Sequence, residues 1–429
     1  MSKKAFRFMI PCVCGTLALL LLLHGPYFDV IRAQGSQQQV AARTAPATSA
    51  DTRKTVQIKR APARVVKDPN SSFSAVAVDV AHNEIVLQDE NLAQIMVYDR
   101  QENTPPRAAL SEPKRIIGGS ATKVAMNCGV YVDPASGDIY NVNGDTQDWL
   151  TVWAHEQKGN QAPSRELEAP HRTFGVTVDE DAKELFVSIQ HPAAVVVWPK
   201  MAQGKDAPLR ILEGEKTRLA EAQGVAVDSK NQLLYVSNQG AFARHKDNLG
   251  WNRALLPGAK TWDIPDRILD LIPGSGEFHE PSINVYPLKA AGDTPPLRMI
   301  QGPKTGLNWP AHISVDVDHQ ELYVANPVTH EILVFRASDS GNVAPIRVLK
   351  GPHTGIKYPH GVFVDTKNDE LVVANFGNHS STIYRRTAAG DTPPIRTIRS
   401  APADAPAPMF GNIGSAAYDT KRNQFLTFN

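Results

Sequence analysis

The sequence predicts an all-β fold of the β-propeller type, and three observations support this prediction. Four short strand-like runs recur in unit after unit, with turns rich in Gly, Pro, Asn and Asp between them, which is typical of a four-stranded blade. The units repeat at a nearly constant spacing, as repeat architectures do. Finally, each end of the chain carries half a unit, which suggests that the two halves complete one blade.

The repeat is clearest in two adjacent units at 312–351 and 361–398. The first contains HISVD, ELYVAN, ILVF and PIRVLKG, and the second contains GVFVD, ELVVAN, TIY and PIRTI. These runs are short and rich in β-branched and aromatic residues, which favours strands over helices. Each unit is therefore predicted to be one blade.

An aspartate closes the first, inner strand of every unit and gives the blade count. One interval between successive aspartates is much longer than the others and is predicted to hold one blade plus an insertion at about 241–281. An excursion of that length suits a lid or a binding loop. The aspartates favour seven blades and are Asp79, Asp133, Asp179, Asp228, Asp316, Asp365 and Asp419.

The two chain ends predict how the ring closes. After Asp419 only one more strand, QFLTFN at 424–429, follows. VQIKR at 56–60 and APARVV at 61–66 resemble the third and fourth strands of a blade. Two C-terminal and two N-terminal strands would then form blade seven, a closure that removes unpaired sheet edges. A six-bladed ring with a stray terminal unit is the alternative.

Residues 1–55, which precede the predicted propeller domain at 56–429, indicate an exported protein. Lys3, Lys4 and Arg7 precede an apolar run at 8–23, and a small-residue cleavage site ends at Ala33, so residues 1–33 have the features of a signal peptide. Residues 34–55 are rich in Gln, Ala, Ser and Thr and are predicted to be a flexible linker. We expect a periplasmic or extracellular protein without a membrane span after cleavage. An uncleaved anchor is the alternative.

Cysteine and charge usage narrow the function classes. Cys128 is the only cysteine beyond the predicted signal peptide, so an internal disulfide is excluded. We expect it to pack as a small buried hydrophobe rather than to act as a nucleophile or ligand. The formal net charge is +1 without a basic run, which argues against a nucleic-acid partner.

The recurring pattern P-x-G-V-x-V-D, E-L-Y-V-A-N, I-x-V-F and P-x-R-x-I-x-G resembles that of NHL-repeat and lactonase-like (SMP-30- and YncE-like) β-propellers. The resemblance covers about residues 56–429. These families include hydrolases, lyases and binding modules, so the resemblance implies the architecture and leaves the activity open.

Candidate ligand-binding residues lie where the second strands end, on the face that should also carry the insertion. Polar residues recur there, Asp89 and Asn429 among them, and aromatic residues lie nearby. The alternative is that each Asn caps its own turn. The candidates are Asn143, Asn238, Asn326 and Asn375, with Trp309 and Tyr358 before blades five and six and Trp251 and Trp262 in the insertion.

Histidines on the same predicted face are candidate ligands for a divalent metal, zinc or calcium. Imidazole nitrogen is a common zinc ligand, and one of these side chains could instead be a general base near neutral pH. The alternative is that they bond to backbone or solvent, because none forms a local ligand motif. The candidates are His171, His191, His312, His330, His360 and His379.

Two functions follow from these residues. The first is an exported binding or scaffold propeller, expected to be a monomer, which presents its channel face and insertion to a small molecule, a glycan or a protein. The second is a metal-assisted hydrolase or lyase of the lactonase-like kind. The sequence leaves open whether the protein is an enzyme and whether it has a cofactor.

Overall fold

The computed structural model describes residues 68–144, 147–242, 277–407, 416–419, 421 and 424–427. The predicted signal peptide, the linker and the strands at 56–66 lie outside the described residues. The same is true of most of the insertion, including Trp251 and Trp262, and of Asn429. In the described ranges, no helix combines the length and hydropathy needed to cross a bilayer.

The prediction of an all-β propeller is confirmed. Six four-stranded antiparallel sheets, the blades, follow one another along the chain, each meandering from an inner to an outer strand. The first three blades are β1 Phe73–Asp79, β2 Glu84–Asp89, β3 Gln94–Asp99 and β4 Arg115–Gly118; β5 Asn127–Val132, β6 Ile139–Asn143, β7 Trp149–Trp153 and β8 Arg165–Glu168; and β9 Thr173–Asp179, β10 Glu184–Ile189, β11 Ala194–Pro199 and β12 Arg210–Leu212.

Blade four is interrupted between its second and third strands by the insertion, whose base is the short antiparallel pair β15 Ala241–Phe242 and β16 Glu277–Phe278. The hairpin of β27 Ala416–Asp419 and β28 Gln424–Thr427 follows blade six, and 3₁₀ helices lie at Glu215–Thr217 and Pro303–Thr305. The remaining strands are β13 Ala222–Asp228, β14 Leu233–Asn238, β17 Ser282–Pro287 and β18 Arg298–Gln301; β19 Ile313–Asp316, β20 Glu321–Asn326, β21 Glu331–Arg336 and β22 Arg347–Leu349; and β23 Pro359–Asp365, β24 Glu370–Asn375, β25 Ser380–Arg385 and β26 Arg396–Arg399.

The ring closes with six blades, the alternative count, rather than the favoured seven. The inner strands pack side by side in chain order, and β23 of blade six packs directly against β1 of blade one. Phe73 and Val76 share an apolar cluster with Val372 and Ala374. Because these two blades share a core, no seventh blade stands between them.

The seventh repeat detected in the sequence does form strands, and within the described residues β27 and β28 pair only with each other. A closing aspartate and a strand pair are local signals, whereas membership of the ring depends on which sheets pack face to face. Local sequence therefore overcounts the blades by one.

The seam between blades one and six differs from the five other seams. In those five, a turn glycine of one blade bridges the outer strand of the previous blade, as Gly159 does with Ile117. At the closing seam, the Thr104 N–H donates to the carbonyl of Thr397 at 2.8 Å and the Ser111 N–H to that of Arg399 at 2.8 Å. A blade-one loop thus seals the ring.

The core lies between the blades and has one large aromatic residue from each third strand. Burying a side chain of this size contributes about 2–3 kcal/mol, so these residues are a main source of stability. Cys128 is buried, as expected for a packing residue. The six aromatic residues are Tyr98, Trp153, Trp198, Tyr286, Phe335 and Tyr384, each with 0% exposure.

Candidate functional site

The loops that enter the inner strands and the loops that follow the second strands emerge together on one face, here called the insertion face. Backbone hydrogen bonds join the two kinds of loop, as from Phe376 N–H to the Tyr358 carbonyl at 3.1 Å. Gly240 donates in the same way to Ala220 at 3.0 Å, and His279 at the base of the insertion donates to Gly240 at 2.8 Å. The insertion therefore leaves the ring on this face.

The asparagines that end the second strands are buried and hold the insertion-face loops in place. Each side-chain oxygen accepts an N–H from the segment entering the inner strand of its own blade. In blade one, Asp89 does the same for the Ser72 N–H at 2.8 Å. These polar atoms are used by the backbone, as the capping alternative describes. The bonds are Ala125 to Asn143 at 3.1 Å, Ala220 to Asn238 at 3.1 Å, Asn308 to Asn326 at 2.7 Å and Lys357 to Asn375 at 3.1 Å.

Three of the six candidate histidines have separate local partners. His171 Nδ1 lies 3.0 Å from Asp148 Oδ1, and His191 Nε2 lies 3.7 Å from Glu221 Oε1. His379 is buried, with Nδ1 2.9 Å from the Ser71 carbonyl and Nε2 3.0 Å from the Pro406 carbonyl. It links blade six to the segment that enters blade one.

Of the other three histidines, His312 and His360 meet at the channel, whereas His330 lies at the surface. The rings of His312 and His360 are 5.9 Å apart, edge to face. His312 Nε2 lies 2.5 Å from the carbonyl of Cys128, and His360 Nδ1 lies 3.1 Å from the carbonyl of Ser74. A carbonyl only accepts, so these nitrogens carry the hydrogens. The other nitrogen of each ring keeps a lone pair when the ring is neutral.

Aromatic rings continue this contact from the channel to the rim. Phe174 stacks on His312 at 5.1 Å and meets His360 edge-on at 5.4 Å. Tyr358 lies nearly parallel to His360 at 6.5 Å and 6.4 Å from His330 at the surface. These separations are within the range of favourable ring pairs. The set, here called the channel ladder, is Phe174, His312, His360, Tyr358, Phe376 and His330.

The histidines of the channel ladder are uncharged at neutral pH. Burial lowers the pKa of His312 to about 3, with the nearby His360 adding to the effect. Burial also lowers the pKa of His360 to about 4. The pKa of His330 is lowered by burial and then by Lys357 and Lys350. The imidazoles therefore add no positive charge to the ring-lined channel mouth, which suits flat apolar surfaces.

Two more aromatic side chains lie on the insertion face. Trp309 has the same left-handed backbone before blade five (φ 57°) that Tyr358 has before blade six (φ 48°), and both are partly exposed. Phe278, at the base of the insertion, is 81% exposed. The described part of the insertion face therefore offers several ring surfaces to a ligand.

The described part of the channel mouth does not present a three-ligand metal set. Within the described ranges, the one convergence of three His, Cys, Asp or Glu ligand atoms lies elsewhere, at Asp79, His82 and His155. The channel histidines instead hold backbone carbonyls and each other.

Phe174 and Phe376 are functional candidates that the sequence interpretation missed. A signal for Phe174 was present, because it precedes the glycine of TFGVTVD as His360 precedes that of PHGVFVD. Aligning the inner strands would have placed both side chains at the channel. Phe376 directly follows Asn375 at the end of a second strand, where only the polar residue was considered.

Comparisons with known proteins give a likeness of fold alone. No family model matches the chain, and no curated protein matches it. Among solved structures, a chain of Kuenenia stuttgartiensis hydrazine synthase matches with a TM-score of 0.47 and 11% identity over 77% of this chain and 100% of that chain. The propeller assignment rests on the sheets themselves. The resemblance to NHL-repeat and lactonase-like propellers remains a prediction.

Proposed function

We propose that the chain is an exported binding propeller whose insertion face holds a ligand with a flat ring, such as a sugar or an aromatic group, at the channel mouth. The channel ladder is the observation that supports this proposal. It connects the surface at His330 to the channel interior at His312 through successive ring contacts.

The chemistry of the ladder fits ring stacking. Tyr358 and Phe376 are partly exposed and in contact with each other, with centroids 6.3 Å apart. An aromatic contact contributes about 0.5–1.5 kcal/mol beyond the burial of its area. Ligand sites are typically apolar concavities with a few placed polar groups, and here the lone pairs of the neutral imidazoles supply hydrogen-bond acceptors.

The metal-assisted hydrolase or lyase is the second candidate, and the contact between His312 and His360 is the observation that favours it. The asparagines expected to help hold the ion bind backbone N–H groups instead. Binding therefore has more support than metal catalysis at this face.

A thermal-shift screen against soluble oligosaccharides and aromatic carboxylic acids tests the proposal. Compounds that raise the melting temperature are then titrated against Tyr358→Ala and Phe376→Ala. We expect about a tenfold weaker Kd for each variant, since a lost stacking contact is worth about 1.4 kcal/mol. His319→Ala, on the opposite face, is the matched control. A ligand whose Kd is unchanged in both aromatic variants would contradict the proposal.

The export component needs a separate test. The proposal predicts that protein recovered from the periplasm or medium begins at Gln34, because cleavage after Ala33 removes the predicted signal peptide. N-terminal sequencing gives the answer directly. Recovery of uncleaved protein in the membrane fraction would support the anchor alternative.

A further inference from the structure

A cluster of titratable side chains lies at the seam of blades one and two, on the face opposite the insertion. The Asp79 Oδ2 atom is 2.7 Å from His82 Nδ1 and 3.9 Å from His155 Nε2. The two imidazoles stack with centroids 3.9 Å apart, and the three ligand atoms lie within 4.8 Å of one another. None of the six histidines selected from the sequence belongs to this cluster.

Two other seams have a permanent cation at the corresponding place. Just after the third strand of blade three, Lys200 reaches back to Asp133 of blade two at 2.6 Å. In the same way, Arg386 of blade six reaches Asp316 of blade five at 3.4 Å. His155 follows the third strand of blade two and faces Asp79. A side chain able to coordinate a metal thus replaces a fixed positive charge.

The contact between His82 and Asp79 is not by itself a metal site, because it recurs as a turn cap. His319 makes the same pair of bonds to Asp316, at 2.9 Å from its N–H and 2.8 Å from its Nδ1. In blade four, Asn231 binds Asp228 similarly. What distinguishes blade one is the third ligand, His155, supplied by the next blade.

Local packing allows that third ligand to approach. Gly137, at φ +77°, lies over the pair, and a Cβ there would be 2.7 Å from His155 Cδ2 and 2.9 Å from Asp79 Oδ2. Any other residue at 137 would push the imidazole away from the carboxylate. The Asp79 side chain is 1% exposed, whereas that of His82 is 38% exposed, so the cluster is anchored in the core and open to solvent on one side.

We propose that Asp79, His82 and His155 bind a divalent transition metal of the zinc class. One carboxylate and two imidazoles suit zinc, whose ligands lie at about 2.0–2.2 Å, so that neighbouring donors in a tetrahedron are roughly 3.3 Å apart. The present separations of 2.7 and 3.9 Å lie on either side of that value. Water completes the coordination through the exposed side.

The surrounding charges favour a cation. Glu84 Oε2 lies 3.0 Å from His155 Nε2, and Glu156 Oε1 lies 3.0 Å from His155 Nδ1. Lys114 and Arg115 bind Glu84 at 2.5 and 2.8 Å. With Asp79 included, three carboxylates oppose two basic groups, which leaves a net negative charge beside the imidazoles. A bound metal would join blades one and two as Lys200 and Arg386 join other blades.

Zinc chloride added to the chelator-treated protein tests the site, with bound metal measured by mass spectrometry and stability by thermal melting. We expect one equivalent of zinc and a higher melting temperature. His155→Lys should fold, since lysine restores the contact that Lys200 makes, and should lose the zinc. His82→Ala should weaken zinc binding at least tenfold. His319→Ala, which removes the matching turn cap in blade five, should bind zinc like the wild type.

Three results would overturn the proposal. The first is a wild-type protein that binds no zinc in a fixed ratio. The second is a His155→Lys variant that takes up as much zinc as the wild type. Uptake that persists in His155→Lys but is lost in His360→Gln is the third, because it would place the metal at the channel. The metal site at Asp79, His82 and His155 is independent of the proposed ligand-binding function, because the ring ligands are screened in the absence of metal.

Discussion

His312 of blade five donates its Nε2–H to the carbonyl of Cys128 in blade two, at 2.5 Å. The inner strands of these blades, β19 and β5, stand three places apart in a ring of six, so the bond crosses the channel. The imidazole thereby holds opposite sides of the ring together and supports the ladder through its stacking on Phe174.

Removing this cross-channel bond is expected to destabilise the whole ring. In His312→Ala, the Cys128 carbonyl loses its partner and Phe174 loses its stacked neighbour, at a cost of about 1–3 kcal/mol in the free energy of unfolding. Urea denaturation measures the change. The control is His319→Ala, an exposed turn histidine, and an equal loss in both variants would show that the channel bond has no special weight.

Acid should destabilise the protein through the channel histidines. The folded-state pKa of His360 is about 4, whereas an unfolded histidine titrates near 6.5. Above pH 6.5 neither state is protonated; below it the unfolded chain takes up the proton first, so stability falls as pH drops toward 4. We expect His360→Gln to reduce this loss by about 2 kcal/mol between pH 7 and pH 4.5. Urea denaturation of the wild type and of His360→Gln at pH 7 and pH 4.5 measures the difference. Equal losses of unfolding free energy in the two proteins would contradict the prediction.

Asp89 is the acid at a position where four other blades have asparagine. Burial raises its pKa to about 6 in the fold, above the unfolded value near 3.9. The contribution of protonated Asp89 to the free energy of unfolding is therefore fully present below pH 4 and is lost as pH rises through 6. Asp89→Asn should stabilise the protein by about 1–2 kcal/mol at pH 8 and give no gain at pH 4. Melting temperatures across this range measure the difference, and a loss at pH 8 would mean that the carboxylate's backbone bonds dominate.

His330 and His379 occupy matching turns, both with positive φ, yet they should respond differently to truncation. His379 is buried and bonded to the Ser71 and Pro406 carbonyls, so His379→Ala should cost about 2–3 kcal/mol. His330 is exposed and accepts one N–H from Tyr358 at 2.9 Å, so His330→Ala should cost less than about 1 kcal/mol. Similar losses in denaturant would contradict the role of His379 in ring closure.

The sequence was sufficient to predict the features of the fold that depend on local pattern. Strand runs and turn residues gave the blades, and the long gap between Asp228 and Asp316 located the insertion. The favoured count of seven was one too high, and the six-bladed alternative is confirmed, because the hairpin at Asp419 has a correct local pattern but forms a separate two-stranded sheet. Packing of β1 against β23, which decides the count, joins residues from opposite ends of the described chain.

The site was predictable only in part for the same reason. His312 and His360 were selected by their position before inner strands, but the Cys128 carbonyl opposite His312 is revealed by the ring alone. His82 and His155 escaped notice because they lie in different blades, and each resembles an ordinary turn residue. Only the seam between blades brings them to one carboxylate.

Hydroxyl-radical footprinting of the protein, with and without a ligand found by the thermal-shift screen, most directly tests whether the insertion face is where binding occurs. We predict that the ligand protects Trp309, Tyr358 and Phe376 from oxidation and leaves His319, on the far side of the ring, unchanged. Protection of His319 with no change at the three aromatic residues would contradict the account.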